Sequence, residues 1–279
     1  MNSSEWLSFP SPDGRLCAWQ AISPGALPVL EQLRKNSGLS GGVPERTPDF
    51  VCRIGVTDGN DSGALFKRCG VRVHPPQPDG TRELRILAPG EQAETPNIHQ
   101  FRLISFQGLA PLLENSGSFW LHAALAVRNG KGILLCGPSG IGKSTAAAAL
   151  AEHYEIPADD CVLLTFCRGA WHAQGVPAWK RPAGTDCSCA AVLDAVYLLE
   201  RGGRGILPLA REAAAPGLGS TFTSLLSRQM KPYPAQKRRE ALIRALEGMR
   251  HLVRELPVRR LSFSLNTDLC AVLSSQPAD

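Results

Sequence analysis

The sequence lacks the patterns that define several common classes of protein. None of its nine cysteines forms a C-x-x-C pair, and the closest spacing, Cys187-Ser188-Cys189, does not match a zinc site. An odd number of scattered cysteines is also a poor disulfide framework and suits a reducing compartment. The 30 Lys+Arg and 25 Asp+Glu leave a formal charge of only +5, which does not indicate a nucleic acid as partner.

Long apolar runs are missing as well. No stretch approaches the roughly 18 consecutive apolar residues that a membrane helix needs, and the best candidate, residues 119–127, contains a histidine. The first residues have neither the basic segment nor the apolar segment of a signal peptide. We therefore expect a cytoplasmic protein with no membrane partner.

What the sequence does contain is enough apolar material for a packed core. It has 279 residues, of which 43% are hydrophobic and 20% charged, so one large domain or two modest ones are expected. The pattern predicts a strand over residues 16–21, a helix that begins at Ser23-Pro24, and a second strand over residues 49–56. We predict a small α+β region over residues 1–97, with its boundary in a stretch rich in proline, glycine and glutamate.

After this boundary the pattern predicts an α/β domain over residues 98–270. A helix over residues 99–113 precedes two strands, 120–127 and 132–136, joined by a hairpin turn at Asn129-Gly130. An alanine-rich helix over residues 143–153 and a long amphipathic helix over residues 233–256 follow further on. Residues 271–279 are predicted to be a loose tail.

A glycine-rich segment joins the strand at residues 132–136 to the alanine-rich helix. This segment matches the phosphate-loop pattern G-x-x-x-x-G-K-[ST] at every fixed position. Its residues are Gly137, Pro138, Ser139, Gly140, Ile141, Gly142, Lys143 and Ser144, and Thr145 follows them. Glycines let successive N–H groups face an anion at the positive end of a helix. Lys143 would reach the β- and γ-phosphates of a nucleoside triphosphate, and the Ser144 hydroxyl would bind Mg²⁺.

Two adjacent carboxylates provide candidates for the remaining chemistry. Asp159 and Asp160 follow the glycine-rich segment by about one helix, where a neighbouring strand would bring them back to it. Successive side chains diverge along a chain, so one carboxylate can hold metal while the other accepts a proton from a hydroxyl. His122 lies on an apolar strand, where a histidine is more often a satisfied core residue than a functional one.

Three other features do not carry function in this interpretation. Leu39-Ser40-Gly41-Gly42 resembles the signature of transporter ATPases but precedes the glycine-rich segment, so it is interpreted as a loop. The sequence also lacks the N-K-x-D and D-x-x-G patterns that a GTPase would show. The basic residues of the long helix, from Lys237 to Arg254, are most simply its solvated face, with a dock for an acidic peptide as the alternative.

These residues resemble a known family. His122, the strand into the glycine-rich segment, and Ala158-Asp159-Asp160 are similar to the catalytic core of HPr serine kinase/phosphorylase, whose fold is similar to that of phosphoenolpyruvate carboxykinase. The resemblance implies an α/β P-loop core in which Asp159 is the base toward a serine hydroxyl. It also implies that Asp160 and Ser144 lie near Mg²⁺ and that His122 belongs to the active site.

Departures from that family qualify the resemblance. Only Leu199-Glu200-Arg201-Gly202 hints at the family's E-I-R-G-x-G segment, and the arginine loop of the phosphorylase reaction is not recognisable. The segment 175–179 and the stretch 256–261 look more like the short kinase-like proteins of peptide-modification cassettes, including the SynChlorMet cassette and lasso-peptide tailoring kinases.

The sequence thus predicts an ATP- and Mg²⁺-dependent kinase that phosphorylates a serine hydroxyl of a peptide or small protein. Two alternatives stay open: a non-catalytic nucleotide-binding switch or scaffold of a modification complex, and a kinase of a small metabolite. The acceptor, the oligomeric state and the roles of Glu200 and Arg201 are not determined by the sequence.

Overall fold

The computed structural model describes residues 5–57, 64–66, 70–87, 98–114, 117–177, 187–203, 205–219 and 235–275. The chain divides into two compact units. Unit 1 is Met1–Asn115 with 177–179 and 186–188, and unit 2 holds 116–176, 180–185 and 189–279. Both units are mixtures of helices and strands, so the mixed α/β class is as predicted.

Unit 1 is built on a six-stranded sheet. Its strands are β1 (Trp6–Pro10), β2 (Leu16–Ala21), β3 (Phe50–Thr57), β4 (Ala64–Phe66), β5 (Val71–Val73) and β6 (Arg82–Leu87). They are ordered β1-β2-β3-β6-β5-β4, and β2, β3 and β6 are parallel to one another. The helix α1 (Leu27–Ser37) connects β2 to β3, which confirms the strand, helix and strand predicted there.

A second helix, α2 (Ile98–Glu114), completes unit 1. It packs against β2, β3 and β6, and the indole N–H of Trp19 donates to the carbonyl of Ile104 at 3.1 Å. The predicted boundary between residues 97 and 98 would assign this helix to the second domain. The helix belongs with the first sheet instead, because its apolar residues cover that sheet.

Unit 2 contains the other nine strands. They are β7 (Ser118–Leu121), β8 (Ala123–Arg128), β9 (Lys131–Cys136), β10 (Glu155–Ala158), β11 (Val162–Cys167), β12 (Ala170–Gly175), β13 (Ala190–Arg201), β14 (Gly205–Pro208) and β15 (Val258–Phe263). The order is β10-β8-β9-β13-β12-β11-β7, with β15 also on β13 and β14 on β15. β13 pairs along its first half with β12 and along its second half with β15. The sheet therefore divides at this strand.

Helices cover both faces of this sheet. They are α3 (Lys143–Leu150), α4 (residues 211–219), α5 (Ala235–Glu255) and α6 (Leu269–Ser274). Alternating side chains go to two cores: Leu134 and Val196 lie in the cluster with α5, and Leu135 and Tyr197 lie in the cluster with α3 and α6. Burial on both faces explains why β8 and β9 read as continuous apolar runs.

The predicted hairpin is present. Asn129 and Gly130 both have positive φ, 53° and 73°, as a two-residue turn between antiparallel strands requires. Two other predictions need correction. The predicted strand over residues 120–127 is interrupted at His122, and the predicted helix over residues 143–153 ends at Leu150.

The predicted tail also begins too early. Residues 271–274 belong to α6, because the Asp268 carboxylate accepts a hydrogen bond from the Ala271 N–H at 2.9 Å and caps the helix. Leu269 and Leu273 then pack on the α3 face of the sheet. Residues 276–279 lie outside the described part of the chain, as do the last two residues of segment 175–179.

Candidate functional site

The residues singled out by the sequence meet at one edge of the unit 2 sheet. β9, β13 and β15 are parallel, so their carboxyl ends share an edge. β8 runs antiparallel to both β9 and β10, which brings the end of β10 to the same edge. Ligand sites of parallel sheets form outside the carboxyl ends of their strands, and this edge is the candidate site.

The glycine loop, residues 137–144, leaves β9 at this edge and enters α3. Its three glycines have positive φ: 152° at Gly137, 81° at Gly140 and 114° at Gly142. A Cβ at Gly142 would lie 3.0 Å from Cζ of Phe263, and one at Gly137 would lie 3.1 Å from Cγ2 of Ile141. Conformation and close packing therefore both require glycine at these positions.

Lys143 lies within the loop although it is the first residue of α3. Its side chain is buried, with only 6% of the residue exposed, and its ammonium donates to the carbonyl oxygens of Gly137 at 2.8 Å and Pro138 at 3.1 Å. Burial lowers the pKa of Lys143 below its usual value, and the nearby Asp160 carboxylate partly opposes this shift. A buried cation therefore lies under the loop.

The outer surface of the loop is open. Ser139 and Gly140 are exposed, and so are Ser144 and Thr145 in the first turn of α3. The loop and the first turn of α3 thus combine three exposed hydroxyl residues with the positive end of a helix dipole at this edge of the sheet. This combination favours an anion with several oxygen atoms.

His122 and the aspartate pair meet because two strands are interrupted at matching positions. β7 and β8 flank His122, while β10 and β11 flank residues 159–161. Leu121 pairs with Val162 on one side of the interruption, and Leu125 pairs with Ala158 on the other. The two irregular segments therefore face each other across the sheet.

The contact between them is a hydrogen bond from the imidazole. Nδ1 of His122 lies 2.7 Å from the Asp160 carbonyl oxygen and 3.1 Å from its Oδ1 atom. A carbonyl oxygen can only accept, so Nδ1 is the donor in this contact and Nε2 is the ring nitrogen on the other side. The two side chains are 19% and 27% exposed. His122 is thus a half-buried residue at the sheet edge rather than a core residue.

Asp160 links the two halves of the site. Its carboxylate is close to His122 Nδ1 and its charge acts on Lys143. Asp159 precedes it directly, at the end of β10. The structure therefore brings the predicted residues His122, Lys143 and Asp160 into one electrostatic neighbourhood.

Residues that sequence reasoning left without a role also reach the site. Arg201, the last residue of β13, donates hydrogen bonds to the carbonyl oxygens of Gly140 and Ile141. Phe263, its register partner on β15, packs under Gly142. Glu200 faces away, toward Ser262 and Arg260. The Glu-Arg-Gly sequence at 200–202 is the signal that could have placed Arg201 here.

The site has few groups that could bind a metal by themselves. In the described ranges, no cluster of three or more His, Cys, Asp or Glu side chains could hold a metal ion. Mg²⁺ is usually held by one or two protein oxygens together with substrate phosphates, so Ser144 and Asp160 suit a metal that arrives with a nucleotide. Within the described residues, no helix is long and apolar enough to cross a membrane.

Comparisons with known proteins give one strong and one weak result. The HPr(Ser) kinase/phosphatase from Coxiella burnetii matches with 17% identity and a TM-score of 0.24, over 30% of this chain and 66% of that chain, too weak a likeness to support an argument. No curated protein matches the sequence. The family described as "SynChlorMet cassette protein ScmC" matches residues 103–273, which is more than half of the chain. This chain therefore belongs to the ScmC family of SynChlorMet cassette proteins.

Proposed function

We propose that this protein is a cytoplasmic kinase that uses ATP and Mg²⁺ to phosphorylate a serine hydroxyl of a peptide or small protein, within a peptide-modification cassette. The observation that carries the proposal is the position of Lys143. Its buried ammonium lies under a glycine loop at a helix N-terminus, and Asp160 and His122 stand at the same sheet edge.

The loop fits the phosphates of a nucleotide in shape and charge. Its three glycines have positive φ, a backbone that can curl around an anion, and a Cβ at Gly137 or Gly142 would crowd the side chain of Ile141 or Phe263. Lys143 would turn from the loop carbonyls to the phosphate oxygens, a stronger charge-assisted interaction. Residues 137–145 would hold the nucleotide, and Ser144 and Asp160 would bind the metal.

Bound ATP with Mg²⁺ would supply the phosphoryl group and the positive charge that its transfer requires. The chain's own residues would do the rest. Asp159 would accept the proton of the serine hydroxyl while the serine oxygen forms its new bond to the γ-phosphorus, and the bond from that phosphorus to the bridging oxygen would break so that ADP leaves. His122, held by Nδ1 on Asp160, would direct Nε2 toward the reacting groups. Lys143 would stabilise the charge that develops on the phosphate oxygens.

The neighbours of the two carboxylates support one assignment of their roles. Asp160 is engaged with His122 and acts on Lys143, so it lies on the side where the phosphates and the metal would be. Asp159 begins the bend after β10, and its side chain diverges from that of its neighbour. We therefore place the base at Asp159 and the metal ligand at Asp160.

A phosphate-transfer assay tests the proposal against its alternatives. The protein is incubated with Mg²⁺ and γ-labelled ATP, with synthetic serine-containing peptides and with a panel of small hydroxylated metabolites, and products are read by mass spectrometry. A peptide gaining one phosphate on serine supports the proposal. Label on a metabolite alone would favour the small-metabolite kinase. Tight ATP binding with no transfer to any acceptor would favour the nucleotide-binding switch.

A further inference from the structure

Arg201 makes contacts that the proposed chemistry does not use. Its Nη2 atom donates to the Gly140 carbonyl oxygen, and its Nε atom lies 3.4 Å from the Ile141 carbonyl oxygen. Gly140 and Ile141 precede Arg201 in the sequence by 61 and 60 residues, respectively. One guanidinium therefore bridges two successive peptide groups at the outer half of the glycine loop.

This bridge determines where the loop amides point. In a planar trans peptide the C=O and the following N–H lie on opposite sides of the chain. Holding the carbonyls of Gly140 and Ile141 toward Arg201 turns the N–H groups of Ile141 and Gly142 away from it. The Ile141 N–H then donates to the Pro138 carbonyl oxygen at 3.3 Å, within the loop itself. Lys143 holds the carbonyls of Gly137 and Pro138 in the same way at the inner half. In the protein without nucleotide, two cations thus hold the two halves of one loop, and Arg201 keeps its half when Lys143 turns to the phosphates.

The position of Arg201 follows from strand register. Residues that alternate along β13 face the same side, and Tyr197 and Leu199 belong to the core under α3, so Arg201 continues that row at the strand's end. Its partner Phe263 contacts the loop from the same side, beneath Gly142. Arginine suits this place because its planar group offers two donors in fixed geometry, whereas lysine offers a single point charge.

We infer that Arg201 is a positioning residue, which holds the outer half of the glycine loop in the conformation that receives a nucleotide. The inference rests on the proposed function for the identity of the ligand. It does not rest on that function for the effect of Arg201 on the loop itself, which is measurable in the protein alone.

The test compares Arg201→Ala and Arg201→Lys with the control Arg260→Ala. Arg260 is an exposed arginine on the neighbouring strand, paired with Glu200 at 3.7 Å and turned away from the loop. Amide hydrogen exchange over residues 140–143, measured without nucleotide, should be about tenfold faster in Arg201→Ala, since two hydrogen bonds to a charged donor are lost. Arg201→Lys should show a smaller change, and Arg260→Ala none.

Affinity for nucleotides supplies the second readout. Calorimetry with Mg·ATP and Mg·ADP should show both weakened by a similar factor, about tenfold, in Arg201→Ala, because a misplaced loop affects every phosphate it contacts. A loss confined to ATP would overturn the inference, since it would mean that Arg201 contacts the third phosphate directly. Unchanged exchange and affinity would overturn it as well.

Failure of the proposed function gives a different pattern. If the unchanged protein binds no nucleotide, the kinase and switch proposals both fall. The exchange rates at residues 140–143 then decide alone whether Arg201 orders the loop.

Discussion

Two strand–loop–helix connections in this chain share a topology but differ in chemistry. β2 leads into α1 in unit 1, and β9 leads into α3 in unit 2; each strand lies beside a parallel neighbour. In the first connection, the Ser23 hydroxyl accepts a hydrogen bond from the Val56 N–H at 3.1 Å. A Cβ at Gly25 would lie 2.9 Å from the Val56 side chain. The neighbouring strand closes this turn.

The second connection, between β9 and α3, has an exposed outer surface, whereas the first is packed against a neighbouring strand. Its loop carries three glycines with positive φ, a buried ammonium beneath it and exposed hydroxyls on its outer side. Both helices have a positive N-terminal dipole, yet the surroundings that suit an anion occur at α3. The comparison shows that strand–helix topology supplies a dipole, while the loop residues and a buried cation turn that dipole into a candidate binding site.

The largest effect is expected from a substitution of Lys143, the buried cation of the second connection. Lys143→Ala should lower Mg·ATP affinity by more than about tenfold and abolish transfer, because the ammonium that meets the phosphates is gone. The fold should persist, since the side chain is directed at its own loop. Calorimetry and the transfer assay measure both effects. Unchanged ATP affinity would mean that the loop binds no triphosphate.

The same lysine predicts a pH dependence. Burial lowers the pKa of Lys143 in the free protein, and anionic phosphates would raise it again. Binding should therefore take up protons at alkaline pH, and affinity should fall as the pH rises through the lowered pKa. Titrations in buffers of different ionisation enthalpy detect the uptake, and proton release over this range would contradict the assignment.

Separate changes of Asp159 and Asp160 should give the next largest effect. Asp159→Asn should keep Mg·ATP affinity and lose about 10²- to 10⁴-fold in rate, as expected for removal of a general base. Asp160→Asn should weaken metal binding, and added Mg²⁺ should partly restore its rate. Initial rates against Mg²⁺ concentration measure both. If added Mg²⁺ restores the rate of Asp159→Asn and not that of Asp160→Asn, the two roles are exchanged. Unaltered phosphate transfer in both variants would refute the proposal that the protein is a kinase.

A smaller effect is expected for His122. His122→Ala should reduce turnover about tenfold or more with little change in Tm, because the imidazole is partly exposed and contacts Asp160 at the sheet edge. Steady-state rates and thermal unfolding measure the two effects. A loss of several kcal/mol in stability with normal turnover would instead make His122 a packing residue.

The smallest effect concerns the closed connection of unit 1. Ser23→Ala removes the acceptor for the Val56 N–H, so unit 1 should lose about 1 kcal/mol of stability while ATP affinity stays unchanged. Denaturant unfolding and calorimetry on the same sample measure the pair. A change in ATP affinity would contradict the contrast between the two connections.

Local features of the sequence predicted local structure well. The hairpin at Asn129-Gly130, the strand before the glycine loop, the helix after it, and α1 are confirmed, because glycine punctuation and apolar periodicity act over a few residues. Predictions that needed more distant information were less successful. The break at His122 separates a run that reads as one apolar strand, and it arises where β7 and β8 pair with different strands.

Packing also explains why part of the apolar stripe on α5 is exposed. Leu242 and Leu246, on the apolar stripe of the long amphipathic helix, are 37% and 40% exposed. Met249 and Val253, further along the same stripe, are buried in the core. A helical period identifies one face of a helix, but only the neighbouring elements determine how much of that face is covered.

The sequence by itself determined the parts of the candidate site that lie close together along the chain. The three glycines, Lys143 and Ser144 lie within eight consecutive positions, and the positive φ at three of these positions favours glycine. Tertiary structure alone decided that His122 meets Asp160, 38 positions later, and that Arg201 reaches the loop from 61 positions away. Those meetings depend on strand register, which is fixed by the burial of whole strands on both faces rather than by any motif.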